Sequence, residues 1–177
     1  MENSYSQLMQ ALITSTKYIF PNNKVIRKVL GKNEPDAPYV ALQVIREVQI
    51  GAGTTSTLVD TEGNISVLVP YEALVQFSFI SKDEEAASNM ARHFIQFMNT
   101  PKVKNIFRSN NLSQKGMSSL RNVASLREGE WVQHQNVDVT FTYSSLTTQQ
   151  QDIINSIEIV DEITGEVITI PPEVIIP

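Results

Sequence analysis

A switch of hydrophobic period between residues 71 and 98 constrains this chain more than any other feature. Tyr71, Ala73, Val75, Phe77 and Phe79 occupy every second position, with Glu72, Gln76 and Ser78 between them. A pleated strand sends alternate side chains to opposite faces, so residues 71 to 81 read as a strand with one apolar face. Directly afterwards Ser81 and Glu84 stand at capping-box spacing, and Ala87, Met90, Ala91, Phe94, Ile95 and Met98 recur at the helical period. The acidic pair Asp83-Glu84 falls in the first turn, where it complements the helix macrodipole. An apolar strand face followed at once by an apolar helix stripe calls for the helix to fold back over the sheet.

The remaining segments extend this arrangement. Leu8, Met9, Leu12, Ile13, Ile19 and Phe20 give a helix over residues 4 to 20, with Asn3 or Ser4 as cap and Pro21 after its end. Residues 24 to 30 fit a helical turn and a pleat equally well. Residues 39 to 50 alternate, with Val40, Leu42, Val44, Val48 and Ile50 assigned to one face and Gln43, Glu47 and Gln49 to the other. Thr54 to Val59 and Ile65 to Val69 flank Asp60-Thr61-Glu62-Gly63-Asn64 and predict a hairpin, while Pro70, lacking an amide donor, is expected at a bulge or edge. Pro101 opens a short helix with the stripe Val103, Ile106 and Phe107. A weak strand from Leu112 to Arg121 and then a loop through Arg127, Glu128 and Gly129 are expected next. The last long strand carries Val137, Val139, Phe141 and Tyr143, and Trp131 has the same parity. Ile157 and Ile159, then Val167, Ile168 and Ile170, flank a turn with Gly165 and predict a terminal hairpin, and the Pro-containing tail is extended by backbone constraint.

The resulting fold class is α+β: a largely antiparallel mixed sheet with helices packed on one face, a protruding β-hairpin and an extended C-terminal arm. One domain is expected over residues 1–160, with the hairpin arm at about 51–70, followed by a C-terminal β or extended arm at 161–177. At 177 residues, 41% hydrophobic and 19% charged, the chain has the composition of a folded domain.

Composition also excludes functions. With no Cys there are neither disulfides nor thiolate metal sites. His93 lies on a helix with no ligand partner one turn on, and Asp138 is roughly 13 Å along a strand from His134, so no metal or cofactor is expected. Gly116-Met117-Ser118-Ser119 lacks the second glycine of a nucleophile elbow. Gly51-Ala52-Gly53 leads into a β-rich run where a dinucleotide loop needs a helix N-terminus. Phe94, Phe97 and Met98 read as core. A net charge of −5 gives no general reason to bind a nucleic-acid backbone. The basic group Lys24, Arg27, Lys28 and Lys32 reads first as a solvated face, with the channel of an oligomer as its functional alternative. No basic flank precedes an apolar run, and no segment approaches the ~18 apolar residues of a membrane span, so neither signal peptide nor anchor is expected. No enzyme site can be assembled from these residues.

The informative feature is surplus β-material. Thr55, Thr57, Leu58, Val59, Ile65, Val67 and Leu68 in the hairpin, and Ile168, Ile170, Val174 and Ile175 in the C-terminal tract, exceed what a small core needs. An exposed apolar strand edge is a hazard unless something pairs with it, and partner subunits are the natural cover. Folding of both arms onto their own subunit is the alternative.

Pro38-Tyr39-Val40 after a short polar loop, Phe77-Ser78-Phe79, the helix Ala86 to Met98, Thr100-Pro101-Lys102-Val103, and Glu130-Trp131 leading into Val137-Asp138-Val139-Thr140-Phe141 together resemble the phage neck or tail terminator proteins. The resemblance spans roughly residues 24 to 160 and lies in order and spacing. It implies a first strand at Val25-Ile26-Arg27. It departs at His134, where a basic residue is expected, and after Ile159. The resemblance implies a ring of about six copies that caps the tail tube and joins it to the head-side connector or stopper, with sheath proteins as further neighbours. It implies a place in the virion at the top of the tail after assembly in the host cytoplasm, DNA only as passing cargo, no membrane and no turnover. The two arms are then the inter-subunit contacts, and Lys24, Arg27 and Lys28 are candidates for lining the DNA channel. The competing reading is a soluble, non-enzymatic α+β ligand-binding or regulatory module, which predicts a monomer or dimer with a defined pocket.

Overall fold

The computed structural model describes residues 4–28, 34–55, 64–127, 129–150, 157–160 and 167–170. In chain order they form α1 (Ser4–Ile19), β1 (Lys24–Arg27), β2 (Tyr39–Gln49), β3 (Thr54–Thr55), β4 (Asn64–Ser81), α2 (Glu84–Met98), α3 (Pro101–Ser109), β5 (Leu112–Met117), β6 (Arg121–Arg127), β7 (Glu130–Gln150), β8 (Ile157–Val160) and β9 (Val167–Ile170). The sheet runs β1-β2-β4-β7-β5, with β3 on β4 and β6 on β7. β1 and β2 pair in parallel, and β2–β4, β5–β7 and β6–β7 are antiparallel. This is the α+β class with a mixed sheet and three helices. None of the described helices is long and apolar enough to cross a membrane. The chain divides into two compact units, residues 1–54 with 68–146, and residues 55–67 with 147–177.

In the first unit one face of the sheet carries the main core. Val40 and Leu42 of β2, Ala73, Val75, Phe77 and Phe79 of β4, and Val137, Val139 and Phe141 of β7 are buried there with Leu8, Leu12, Phe94, Val103 and Phe107 of the three helices. Phe94 sits over the rings of Phe77 and Phe79 at 4.6 and 5.1 Å, and Phe107 meets Phe141 at 5.3 Å. Each fully buried ring of this kind contributes on the order of 2 kcal/mol by leaving water. At one end of the opposite face, Tyr39, Ala41, Ile80 and Val132 form a smaller cluster with Ile26 and Ala37 against it. Ala37-Pro38 is a cis peptide, and the Tyr39 hydroxyl donates to Glu34 Oε2 at 2.6 Å.

Four local expectations change. The register of β2 against β4 shifts between Val44 and Arg46, so Val44 faces Val75 while Glu47 faces Ala73. This bulge inserts an extra residue and reverses the parity beyond it. Val48 then shares a face with Glu72 and is 39% exposed, and Glu47 falls on the face of Ala73, where it stays exposed and accepts from the Tyr143 hydroxyl; beyond the bulge β2 is exposed on both faces from Ile45 onward. The two runs around Pro70 are one continuous strand, and the Ile50 amide donates to the Pro70 carbonyl at 2.9 Å, an acceptor that proline retains.

The cap of α2 is Asp83, in an extended conformation, whose carboxylate accepts from the Ala86 amide at 2.9 Å. Ser81 is the last residue of β4 and instead accepts from the Asp83 amide at 3.2 Å. The loop expected through Arg127 is largely strand β6, paired residue for residue from Arg121↔Asn136 to Arg127↔Glu130. Gly129, at φ +84°, supplies the left-handed position that the tight turn into β7 requires. Pairing with β7 satisfies the β6 backbone, which its weakly alternating sequence gave no means of foreseeing.

In the second unit the described residues include the antiparallel pair β8–β9, with Ile157↔Ile170 and Ile159↔Ile168 in register. The expected turn at 161–166, the expected hairpin tip at 56–63 and residues 171–177 lie outside the described residues.

Candidate assembly surfaces

The surfaces with something to offer a partner are the two lateral edges of the sheet and a few uncovered apolar side chains. β1 ends the strand order on one side. Lys24, Arg27 and Lys28 are exposed on or just after it. The Arg27 guanidinium donates to the Tyr5 hydroxyl at 2.9 Å and lies 5.0 Å from that ring's centroid, so α1 holds this side chain in place. Lys32 lies outside the described residues.

On the other side, β5 and β6 lie end to end along β7, and among the described residues neither has a second strand beside it. Trp131 and Leu126 face each other across the β6–β7 pair, each 63% exposed. The shared parity of Trp131 with Val137 does not bury it, because Trp131 lies at the hairpin end. Val123, opposite His134, is 49% exposed, and the His134 ring bonds the Ser125 hydroxyl at 2.8 Å. Near the start of α2, Asn122 donates to Glu84 Oε1 at 2.8 Å.

Polar ties cross the outer face of the sheet. Glu72 meets Lys115 at 3.0 Å and Arg46 at 3.6 Å, and Asp138 accepts from Gln76 at 3.2 Å and pairs with Arg121. Partly exposed pairs of this kind contribute at most about 1 kcal/mol each, so they set register more than stability. At the hairpin end Lys82 meets Glu130 at 2.5 Å. The hydrogen bond to Glu130, and then its negative charge, raises the Lys82 pKa above the ordinary lysine value. The same bond and the ammonium charge hold the Glu130 carboxyl below the ordinary carboxylate value.

A shallow cavity of about 390 Å³ opens between α3 and β5, lined by Asn99, Lys104, Arg108, Ser113, Gln114 and Lys115 over the buried Phe107 and Leu112. Unlike the cations of residues 24–32, Lys104, Arg108 and Lys115 are not clustered in sequence, and they reach one cavity only through the packing of α3 beside β5. A signal was present: from residue 86 to 127 the sequence contains no Asp or Glu.

Of the expected contact residues, Ile65 and Val67 are half-buried in β4 and Leu68 is 44% exposed. Thr55 lies in β3, and Ile168 and Ile170 lie in β9. Thr57, Leu58, Val59, Val174 and Ile175 lie outside the described residues. Among the described residues no group of His, Asp or Glu has the arrangement of a metal site.

Residues 5–169 match the family described as phage neck terminator protein. Among solved structures, the chain is similar to one in the virion of a native gene transfer agent particle, at 13% identity and a TM-score of 0.31, over 81% of this chain and 92% of that chain. No curated protein matches it.

Proposed function

Because the chain belongs to the phage neck terminator protein family, whose members are structural components of the phage neck, we propose that it works as one subunit of a closed ring at the top of the tail. The ring has about six copies, as the family resemblance implies. One face ends the tail tube and meets sheath proteins where a sheath exists, and the other docks on the head-side connector or stopper. A heterologous contact that closes under rotation makes such a ring, and its activity is geometric: it stops polymer growth, presents a docking surface and leaves a channel for DNA. The family match over residues 5–169 carries this reading.

Two features of the molecule support it. The β5–β6 edge and the exposed Leu126 and Trp131 are the kind of surface a neighbouring subunit covers. The hairpin and the C-terminal tract supply the rest of the contact, through Thr55, Thr57, Leu58, Val59, Ile65, Val67, Leu68, Ile168, Ile170, Val174 and Ile175. Lys24, Arg27 and Lys28 line the channel, Arg27 in an orientation held by Tyr5. Assembly takes place in the host cytoplasm, and the finished ring resides in the virion.

Light scattering on the purified chain, followed by negative-stain imaging with purified tail tubes, tests the reading. Ring-shaped caps at one end of the tubes are the expected result. A chain that remains monomeric with tubes present and leaves their ends bare would overturn it.

A further inference from the structure

Charge is segregated along this chain. Residues 86–127 contain seven Lys and Arg and no Asp or Glu, although the formal net charge of the whole is −5. Residues 147–177 show the reverse, with six Asp and Glu and no Lys or Arg.

The fold gathers part of the basic run around one cavity. Lys104 and Arg108, one turn apart on α3, line the cavity with Lys115 of β5, and the other polar residues of that lining, Asn99, Ser113 and Gln114, are uncharged. Lys115 already meets Glu72. Lys104 and Arg108 have no carboxylate partner among the described residues. β5, which lines the cavity, continues in chain order into β6, whose outer edge is unpaired among the described residues and whose Val123 and Leu126 are exposed. This side of the sheet therefore offers, along its length, two cations with no carboxylate partner among the described residues, open backbone groups, and exposed apolar side chains on either face of β6.

The acidic segment offers the counterparts of all three. Within it β8 and β9 pair with Ile157 opposite Ile170 and Ile159 opposite Ile168, and Glu158 stands between the two isoleucines of β8 in sequence. Building on the ring reading above, we propose that residues 147–177 of one copy dock on the α3–β5–β6 face of the next, with carboxylates against Lys104 and Arg108 and an extended stretch along the β6 edge. This is strand addition to an open edge, with charge setting partner and direction. Duplex DNA is also a polyanion, but its backbone would engage the cations and leave Val123 and Leu126 uncovered. The observations favour the acidic, isoleucine-rich segment.

Charge exchange in the full chain tests this, read by light scattering and by crosslinking in mixtures of light- and heavy-isotope protein. Lys104→Glu with Arg108→Glu weakens assembly roughly tenfold or more, because like charges then face each other. Glu158→Lys with Glu162→Lys does the same, and combining both sets restores assembly. The inference is overturned if the wild-type chain assembles and either set leaves assembly unchanged, or if the combined variant, folded by circular dichroism, shows no recovery. Crosslinks from the segment that join only like-labelled copies would place it on its own chain and also overturn the inference. So would Lys104 and Arg108 variants that assemble normally but lose retention of duplex DNA. Wild-type protein that never assembles refutes the ring itself, a result distinct from each of these.

Discussion

The β2 bulge can be tested by making one isosteric change at two positions of the same sequence parity. Val40 and Val48 lie on the same strand an even number of residues apart, and uninterrupted alternation would put both in the core. In the structure Val40 is fully buried opposite Phe79, whereas Val48 lies beyond the register shift, opposite Glu72, and is 39% exposed. Val→Thr keeps shape and β-branching and swaps a methyl for a hydroxyl. At position 40 that hydroxyl is buried in an apolar core and costs about 1–3 kcal/mol. At position 48 it reaches water, and the change stays within about 0.5 kcal/mol. For a chain of this size 1 kcal/mol corresponds to roughly 2–4 °C in Tm. Urea and thermal unfolding at low protein concentration should therefore show Val40→Thr clearly destabilised and Val48→Thr close to wild type. Equal losses at both positions would mean that the alternation runs through without a bulge, and the placement of Glu47 beside Tyr143 would fall with it.

Three further outcomes follow from local geometry. Asp83→Ala removes the acceptor for the Ala86 amide and should cost about 1 kcal/mol in urea unfolding, with Ser81→Ala costing less; the reverse order would return the cap to Ser81. Gly129→Val puts a β-branched residue at φ +84° and should lower Tm by several degrees, on the order of 1–3 kcal/mol of backbone strain, whereas no change would contradict the tight turn. The Lys82–Glu130 pair contributes stability above the ordinary carboxylate pKa and loses it as pH falls through the depressed Glu130 value. At the other limit the contribution is complete below the ordinary lysine pKa and is lost as pH rises through the raised Lys82 value. NMR titration should find Glu130 below the usual carboxylate range and returned to it by Lys82→Met; an unmoved Glu130 would refute the pairing.

By itself the sequence determined the elements whose period is long and unbroken. α1, the 71–81 part of β4, α2, α3 and the 137–143 part of β7 are legible because leaving their apolar faces in water is costly, and a period of two or 3.6 residues records which faces those are. The family resemblance, carried by the order of the same segments, was legible with them. The tertiary structure alone decided matters that depend on backbone bonds to a strand distant in the chain. The side presented by residues 46–50 follows from a bulge, and a bulge exists only relative to its partner β4. Residues 121–127 form a strand because β7 satisfies their amides and carbonyls, not because an apolar pattern demands it. The proposed assembly surface divides in the same way: charge segregation is written along the chain, but only the packing of α3 beside β5 brings Lys104, Arg108 and Lys115 to one cavity. Side-chain periodicity is local information, whereas pairing register and convergence of charge are set by which segments become neighbours in space.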